Sequence, residues 1–281
     1  MPVEEYLRPD TLDEALSLRS QYGNDIHVIS GGTLSIPMMN EGHLLPERVL
    51  DLRSVGLNYV DNGEDQTTLG ATLTYSDVIE QVDDPLVTEA AHHCGSWAVR
   101  NVGTIGGNFF GPPTVGDFAV AVLARDGEVK LQRDGGERWV ALSDFYTGPG
   151  TNVLEPDELL TEIRLSANGG ETAYLKQTRQ QEPAPSIVTI AADIKMENGS
   201  IDSARIGLNG AGPHPMRADD AEAVLEGSSL NDDTIESAVS TVVEAANAPT
   251  DAIASEWYRQ KMLETYMTKS LTQIANGESL A

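Results

Sequence analysis

Apolar and polar positions alternate along this chain in short blocks, and the period of each block predicts an element. Residues 11–23 place Leu12, Ala15, Leu16 and Tyr22 at helical spacing, with Thr11 as N-cap, Glu14 completing a capping box and Gly23 as the stop. An apolar strand over 26–29 follows and breaks into Ser30, Gly31, Gly32, Thr33, Leu34 and Ser35, a glycine turn rich in hydroxyls. Residues 49–52 read as another strand, and 57–60 with 67–71 flank the polar Asp61-Asn62-Gly63 segment as a hairpin does. Thr74 with Asp77 opens a helix, and Asp84-Pro85 starts the next, which runs through His92 and His93 toward Trp97.

The periodicity then lapses over residues 100–117, RNVGTIGGNFFGPPTVGD, a glycine-rich stretch with Thr104 and Asn108 among its polar side chains. Asp117 is the expected N-cap of an apolar helix over 118–123. Short strands follow at 128–131 and 138–140, then a long polar loop over 144–157 and a strand over 159–165. Asn168-Gly169-Gly170 is the expected linker. Beyond it the pattern changes to three strands, 172–177, 187–194 and 201–208, followed by helices at 218–226, 232–247 and 255–274. The second of these helices spaces Ile235, Val239, Val242 and Ala246 at helical intervals. Sheet then helices is the signature of an α+β unit, in which Trp257, Tyr258, Met262, Tyr266 and Met267 are expected to pack the core.

Composition narrows the function. The 281 residues suffice for two domains or one large one, and 40% hydrophobic content is that of a globular chain. No apolar run reaches the ~18 residues of a membrane span, and the start MPVEEYLRPD lacks the basic and apolar regions of a secretory signal, so a cytoplasmic protein with no membrane insertion is expected. Eighteen Lys and Arg against 44 Asp and Glu give a net charge of -26, which opposes nucleic acid and anionic lipid. The acids are spread over the whole chain, a coat whose repulsion is screened once the Debye length falls to about 3 Å at about 1 M salt; a halophilic host is the expectation. The single cysteine, Cys94, leaves no intramolecular disulfide and no cysteine-ligated iron–sulfur cluster, and His92-His93-Cys94 is read as an ordinary buried helix segment.

The candidate chemistry lies in the two glycine turns. Glycines such as Gly103, Gly106 and Gly107 let backbone approach a ligand closely, free N–H groups of tight turns accept an anion, and hydroxyls add donors without charge. A phosphate-bearing ligand held without an arginine cluster points to a nucleotide cofactor. The Gly-x-Gly-x-x-Gly fingerprint, the Walker lysine, the Gly-x-Ser-x-Gly elbow and His-Glu-x-x-His are absent, which removes support for hydrolase and metalloenzyme readings.

SGGTLS at 30–35, RNVGTIGGN at 100–108 and Asp117 ten residues after Gly107 resemble the FAD-binding medium subunit of the molybdenum hydroxylases, of the aerobic carbon monoxide dehydrogenase and xanthine dehydrogenase type. The resemblance continues, in order, through YLKQTR at 174–179, GPHPMRADDAE at 212–222 and WYRQKM at 257–262. It implies an α+β fold: a two-part FAD-binding domain of the vanillyl-alcohol-oxidase type over 1–168, with sub-parts of 1–55 and 56–168, and a small C-terminal domain over 172–277 with a three-stranded antiparallel sheet and helices. It also implies cofactor contacts from Val28, Ile29, Ser30, Gly31, Gly32, Thr33, Leu34 and Ser35, from Ala71 and Asn101, and from Thr104, Gly106, Gly107, Asn108 and Gly116. Asp117 would accept from ribityl or ribose hydroxyls, Leu159 would lie near the isoalloxazine, and Lys176 near its polar edge, where a cation stabilises negative charge as flavin is reduced.

In such complexes a molybdopterin-binding large subunit oxidises the substrate and a small subunit with two 2Fe-2S clusters relays electrons to FAD; the implied assembly is a dimer of heterotrimers. His27 precedes the turn, so the FAD is expected to be noncovalent. Ser30 stands where many relatives carry alanine and Leu34 where an acid is common, and residues 180–185, QQEPAP, replace a more usual basic pair. The alternatives are a self-contained FAD oxidase or reductase of the same fold, for which the C-terminal half offers no histidine–tyrosine constellation, and a nonredox nucleotide-binding scaffold.

Overall fold

Three short strands, Glu5–Leu7 (β1), Ile26–Ile29 (β2) and Arg48–Asp51 (β3), form a parallel sheet in the order β1-β3-β2. This and all that follows is seen in a computed structural model that describes residues 3–63, 66–112, 116–166, 169–181 and 183–280. The helix Leu12–Tyr22 (α1) links β1 to β2; Thr11 caps it by accepting the Glu14 N–H at 3.2 Å. The Glu14 carboxylate takes the Asp10 N–H at 3.2 Å, one residue earlier than a capping box requires. Gly23 ends the helix at φ +52. Ala15 and Leu16 of α1 bury themselves with Ile26, Leu50, Leu52, Leu57 and Leu159, each leucine or isoleucine contributing about 1.5–3 kcal/mol when fully buried. A short helix unsignalled by the sequence pattern, Ser35–Asn40 (α2), follows the first glycine turn.

The chain continues through Val60–Asn62 (β4), Gln66–Gly70 (β5), Tyr75–Gln81 (α3), Pro85–His92 (α4), Trp97–Arg100 (α5), Ile105–Asn108 (α6) and Asp117–Ala124 (α7). It then forms Glu128–Arg133 (β6), Gly136–Ala141 (β7), Leu142–Phe145 (α8), Tyr146–Gly148 (β8), Thr151–Asn152 (β9) and Leu159–Ser166 (β10). Antiparallel pairing gives the five-stranded order β4-β5-β10-β6-β7. Thr74 and Asp77 form a complete capping box on α3.

Three expectations change here. The helix begun at Asp84 stops at His92, because Gly95 turns the chain at φ +79 before Ser96 caps a separate α5; His92 is exposed while Cys94 is buried. The supposed loop over 144–157 contains the small β8-β9 hairpin, too short to show a strand period. Asp117 does not cap α7: Gly116 holds the N-cap position without a side-chain bond, and Asp117 is the first helical residue.

The last part folds as Glu171–Thr178 (β11), Ser186–Glu197 (β12), Ser200–Asn209 (β13) and Met216–Arg217 (β14), then Asp219–Leu225 (α9), Asp232–Ala245 (α10) and Glu256–Ala275 (α11). The sheet β11-β12-β13-β14 adds one short strand to the expected three. Of the expected linker, Asn168 lies outside the described residues, as do the boundary at 168 and Glu182 in the 180–185 run. Val188, Ile190, Ala192 and Ile194 share one apolar core with Met267 and Leu271 of α11, which packs on β11 and β12, and with Ile235 and Val239 of α10, which packs on α9 and α11. Trp257 departs from the core role expected of it and is 68% exposed.

The other face of this sheet receives α7, and cross-strand register explains how. Lys176, Thr189 and Asn209 form one row; Tyr174, Ala191 and Gly207 form the next; Thr172, Asp193 and Arg205 form the third. Asp117 at the start of α7 meets the first row. Val120 in its middle meets Gly207, where a Cβ would run into the Val120 carbonyl oxygen. Arg125, just past its end, pairs with Asp193 of the third row and, through Nε and Nη2, with both oxygens of Asp84 at 2.8 and 2.9 Å. Among the described residues no helix is long and apolar enough to cross a membrane, and no cluster of side chains is suited to a metal ion.

Candidate functional site

The two glycine turns touch each other. A Cβ on Gly31 would overlap the Val102 carbonyl and approach the Gly103 Cα to 2.8 Å, and a Cβ on Gly103 would stand 3.3 Å from the Thr33 hydroxyl oxygen. Only glycine admits so close an approach of two backbones. Ala71 joins them: its carbonyl accepts the Gly106 N–H at 3.0 Å, and a Cβ at Gly106 would be 2.7 Å from that same oxygen. Thr104 bridges to Thr74, and the Ile105 N–H bonds the Leu73 carbonyl at 2.9 Å, so the second turn is laced to the capped end of α3.

Around this junction Val28 is half-buried and Ile29 buried at the end of β2, while Thr33 and Leu34 are exposed. The Ser30 hydroxyl is buried and has no hydrogen-bond partner among the described residues. Gly32 has φ +66, which turns the chain into α2. The Ser35 hydroxyl lies 3.0 Å from Nε2 of His27, whose ring burial and then the charge of Arg19 hold below its usual pKa. Asn101 is exposed and its Oδ1 accepts from the Ser76 hydroxyl at 2.7 Å; Gly107 is exposed as well. Arg100, the cation nearest in sequence, donates to the carbonyls of His92 and Gly95 at 3.1 and 2.7 Å, and so is spent on the fold.

Asn108 carries the junction onward. Its Oδ1 accepts the Ala119 N–H at 3.2 Å, satisfying a donor in the first turn of α7, and its Nδ2 donates to the Tyr75 hydroxyl at 3.0 Å. This is the capping role that the sequence assigned to Asp117. Gly116, just ahead of α7, is buried, while residues 113–115 of the stretch lie outside the described residues.

Asp117 turns toward the C-terminal sheet instead. Its Oδ1 accepts from the Thr189 hydroxyl at 2.6 Å and, more weakly, from Asn209 Nδ2 at 3.5 Å; its Oδ2 pairs with Lys176 Nζ at 2.9 Å. The two side chains of this ion pair are 2% and 6% exposed, so Lys176 is no surface lysine; its ammonium also donates to the His93 carbonyl at 2.8 Å. A pair so placed is costly to bury and costlier to break. Leu159 is 2% exposed among Leu50, Leu52 and Leu57, inside the core that joins β10 to the parallel sheet. The structure thus gathers 28–35, Ala71 and 101–108 at one junction, sets Asp117 and Lys176 one hydrogen-bonded step away, and puts Leu159 in the adjoining core.

Sequence reasoning missed Thr189, Asn209, Tyr75 and the His27–Ser35 contact. A signal existed for Thr189, a lone hydroxyl within the apolar run of β12, whereas Asn209 needed the register to be known. Two neighbours complete the surroundings. Phe109 and Phe110 pack edge-on to Phe145, which leads through Tyr146 to the stacked His214 of the C-terminal part. Cys94 is buried beside Tyr75 and Asp117, and burial first, then the Asp117 charge, pushes its thiol well above the usual range.

A buried hydroxyl without a partner, two turns stripped of side-chain bulk and no uncommitted guanidinium in either turn fit a dinucleotide diphosphate held by backbone N–H groups and hydroxyls. Family comparison agrees. Residues 2–166 match the model of the FAD binding domain in molybdopterin dehydrogenase, and 173–274 that of the CO dehydrogenase flavoprotein C-terminal domain. The chain belongs to this FAD-binding family and is the flavoprotein part of an oxidoreductase of that class. It is 30% identical to the glyceraldehyde dehydrogenase medium chain of Sulfolobus acidocaldarius, over 98% of this chain and 99% of the other. It is likewise 30% identical to the carbon monoxide dehydrogenase medium chain of Afipia carboxidovorans, over 95% of each. The reconstituted CO dehydrogenase from Oligotropha carboxidovorans contains a chain that superposes with a TM-score of 0.92 at 27% identity, covering 98% of both.

Proposed function

We propose that this chain holds FAD noncovalently between its two glycine turns and serves as the electron-transfer subunit of a molybdenum hydroxylase complex. FAD, when bound, accepts electrons from an iron–sulfur partner and passes them to an external acceptor. The observation that carries the reading is the buried Ser30 hydroxyl, without a partner in a turn pressed against Gly103. Ser30 to Ser35, with Thr104, Gly106, Gly107 and Asn108, would hold the diphosphate and ribityl chain; Val28, Ile29, Ala71, Asn101 and Gly116 would frame them. His27, kept neutral, would fix the Ser35 hydroxyl. Asp117, Lys176 and Leu159 would lie toward the ring and sugar hydroxyls.

The partners in this reading are a molybdopterin-binding large subunit and a small subunit with two 2Fe-2S clusters, assembled as a dimer of heterotrimers in the cytoplasm of a halophile. The likeness to medium chains over nearly their whole length supports it. So does the single cysteine, which leaves cluster ligation to another chain. We place the division between the FAD-binding part, 1–168, and the C-terminal part, 172–277, at the glycines before β11. The test is to purify the complex from its host at high salt, record its absorbance spectrum and identify copurifying chains and metals. Flavin together with molybdenum and an iron–sulfur chain is expected; flavin alone would sink the subunit assignment.

A further inference from the structure

Lys176, Thr189 and Asn209 belong to three different strands of the C-terminal sheet, yet register sets them side by side and all three side chains converge on one carboxylate, that of Asp117. Thr189 and Asn209 are both wholly buried. Burying polar groups at this density is costly, the more so because the Asn209 Oδ1 has no hydrogen-bond partner among the described residues, so the row is maintained for something packing alone would not require. What it holds is the start of α7. From there the path is short: the Ala119 N–H, two residues on, is bonded to Asn108 Oδ1, and Asn108 follows Gly106 and Gly107 of the second turn. Tyr174, from the neighbouring row, adds a hydroxyl donated to the Asp117 carbonyl at 3.3 Å.

We propose that Thr189, with Asn209 beside it, is a positioning residue for the cofactor turn, acting through the Asp117 carboxylate and the first turn of α7 on Asn108 and so on the backbone of Gly106 and Gly107. The inference rests on the reading that these turns hold FAD. It makes the C-terminal sheet a part of the cofactor site although Thr189 is buried behind α7. Geometry favours Thr189 over its neighbours as the fixing contact: its 2.6 Å bond is the shorter of the two on Oδ1, and it orients that oxygen while Lys176 holds the other. Thr189 and Asn209 occupy Oδ1, whereas Oδ2, which takes Lys176, retains a lone pair, so Asp117 can still accept from a ligand through Oδ2 while so held.

The test uses the full chain stripped of flavin and titrated with FAD, following flavin fluorescence, alongside the melting temperature of each apoprotein. Thr189→Val removes the hydroxyl at nearly constant shape; Thr189→Ser keeps it. The expected result is a dissociation constant for FAD raised about tenfold in Thr189→Val, equivalent to about 1.4 kcal/mol, and restored to within about twofold in Thr189→Ser. The flavin reduction potential should move in Thr189→Val as well, because the Lys176 charge is no longer fixed against a held carboxylate. A Thr189→Val protein that melts earlier but binds FAD within about twofold of the parent overturns the proposal and leaves the row a stabilising device only. If Thr189→Val does not fold, Thr189→Ala is titrated in its place under the same criteria. Failure of the unaltered chain to take up FAD would fall on the proposed function itself, and is read before any variant.

Discussion

The carbonyl of Val120 lies against Gly207 so closely that no side chain could stand on the glycine. That contact seats the middle of α7 on β13, between the Asp117 row at one end and the Arg125 pairs at the other. Gly207→Ala should therefore push the helix off the sheet and destabilise the protein by about 1–3 kcal/mol, the usual cost of overpacking a filled core. Denaturant titration of the apoprotein measures it; an unchanged midpoint would mean that α7 has room to shift.

Arg125 is wholly buried between Asp84 and Asp193. Replacing it with methionine leaves two buried carboxylates facing each other, an expected loss of about 3–5 kcal/mol. Asp193 already has its pKa raised, by burial first, against the opposing pull of Arg125. Protonation removes the charge that Arg125→Met strands, so the deficit should shrink as pH falls. Urea melts at neutral and mildly acid pH separate this from simple loss of packing, which would be insensitive to pH.

His27 supplies a second pH dependence with the opposite origin. Its folded pKa lies below the ordinary 6.5, through burial and then Arg19. A base with a depressed folded pKa binds fewer protons when folded, so its contribution is intact above about pH 6.5 and is lost as pH falls from there toward the folded pKa. His27→Gln should flatten the fall in melting temperature across that window. Parallel curves for parent and variant would show that His27 is not responsible.

Ser30→Ala separates cofactor binding from stability. An unpaired buried hydroxyl costs about 1–3 kcal/mol, so its removal should leave the apoprotein at least as stable. If the hydroxyl donates to the cofactor, FAD affinity should drop about tenfold in the same variant. A less stable apoprotein with unchanged affinity would place the hydroxyl in the fold and not in the site.

A charge of -26 should make the fold salt-dependent. Lowering salt from about 1 M to about 0.1 M lengthens the Debye length from about 3 to about 10 Å and should lower the melting temperature. A melting temperature constant across that range would end the halophilic reading.

Much of the fold was legible because its elements carry strong periods. Thr11, Thr74, Asp84 and Ser255 cap helices where the sequence places helix starts, and β2, β10 and β12 fall on apolar runs. The glycine turns could be found as motifs, but not that Gly31 would meet Gly103, since that contact depends on how β2 is brought alongside α5 and α6. Asp117 was misread for a local reason: an acid heading an apolar helix is an ordinary cap. Its partners, Lys176, Thr189 and Asn209, come from 59 to 92 positions away along the chain, and no local pattern encodes them. Trp257 comes two residues before Arg259, which puts it on the opposite side of α11 from the buried Arg259, Leu263 and Met267, so an aromatic in an apolar-looking stretch faces away from the sheet.

Cys94, the chain's one thiol, is packed beneath α7 with its ionisation suppressed by burial and by Asp117. A thiolate-directed reagent can reach it only when the core around Tyr75, Phe118 and Lys176 opens. The rate at which Cys94 is labelled is therefore a built-in clock for that opening, readable in the native protein without introducing a probe.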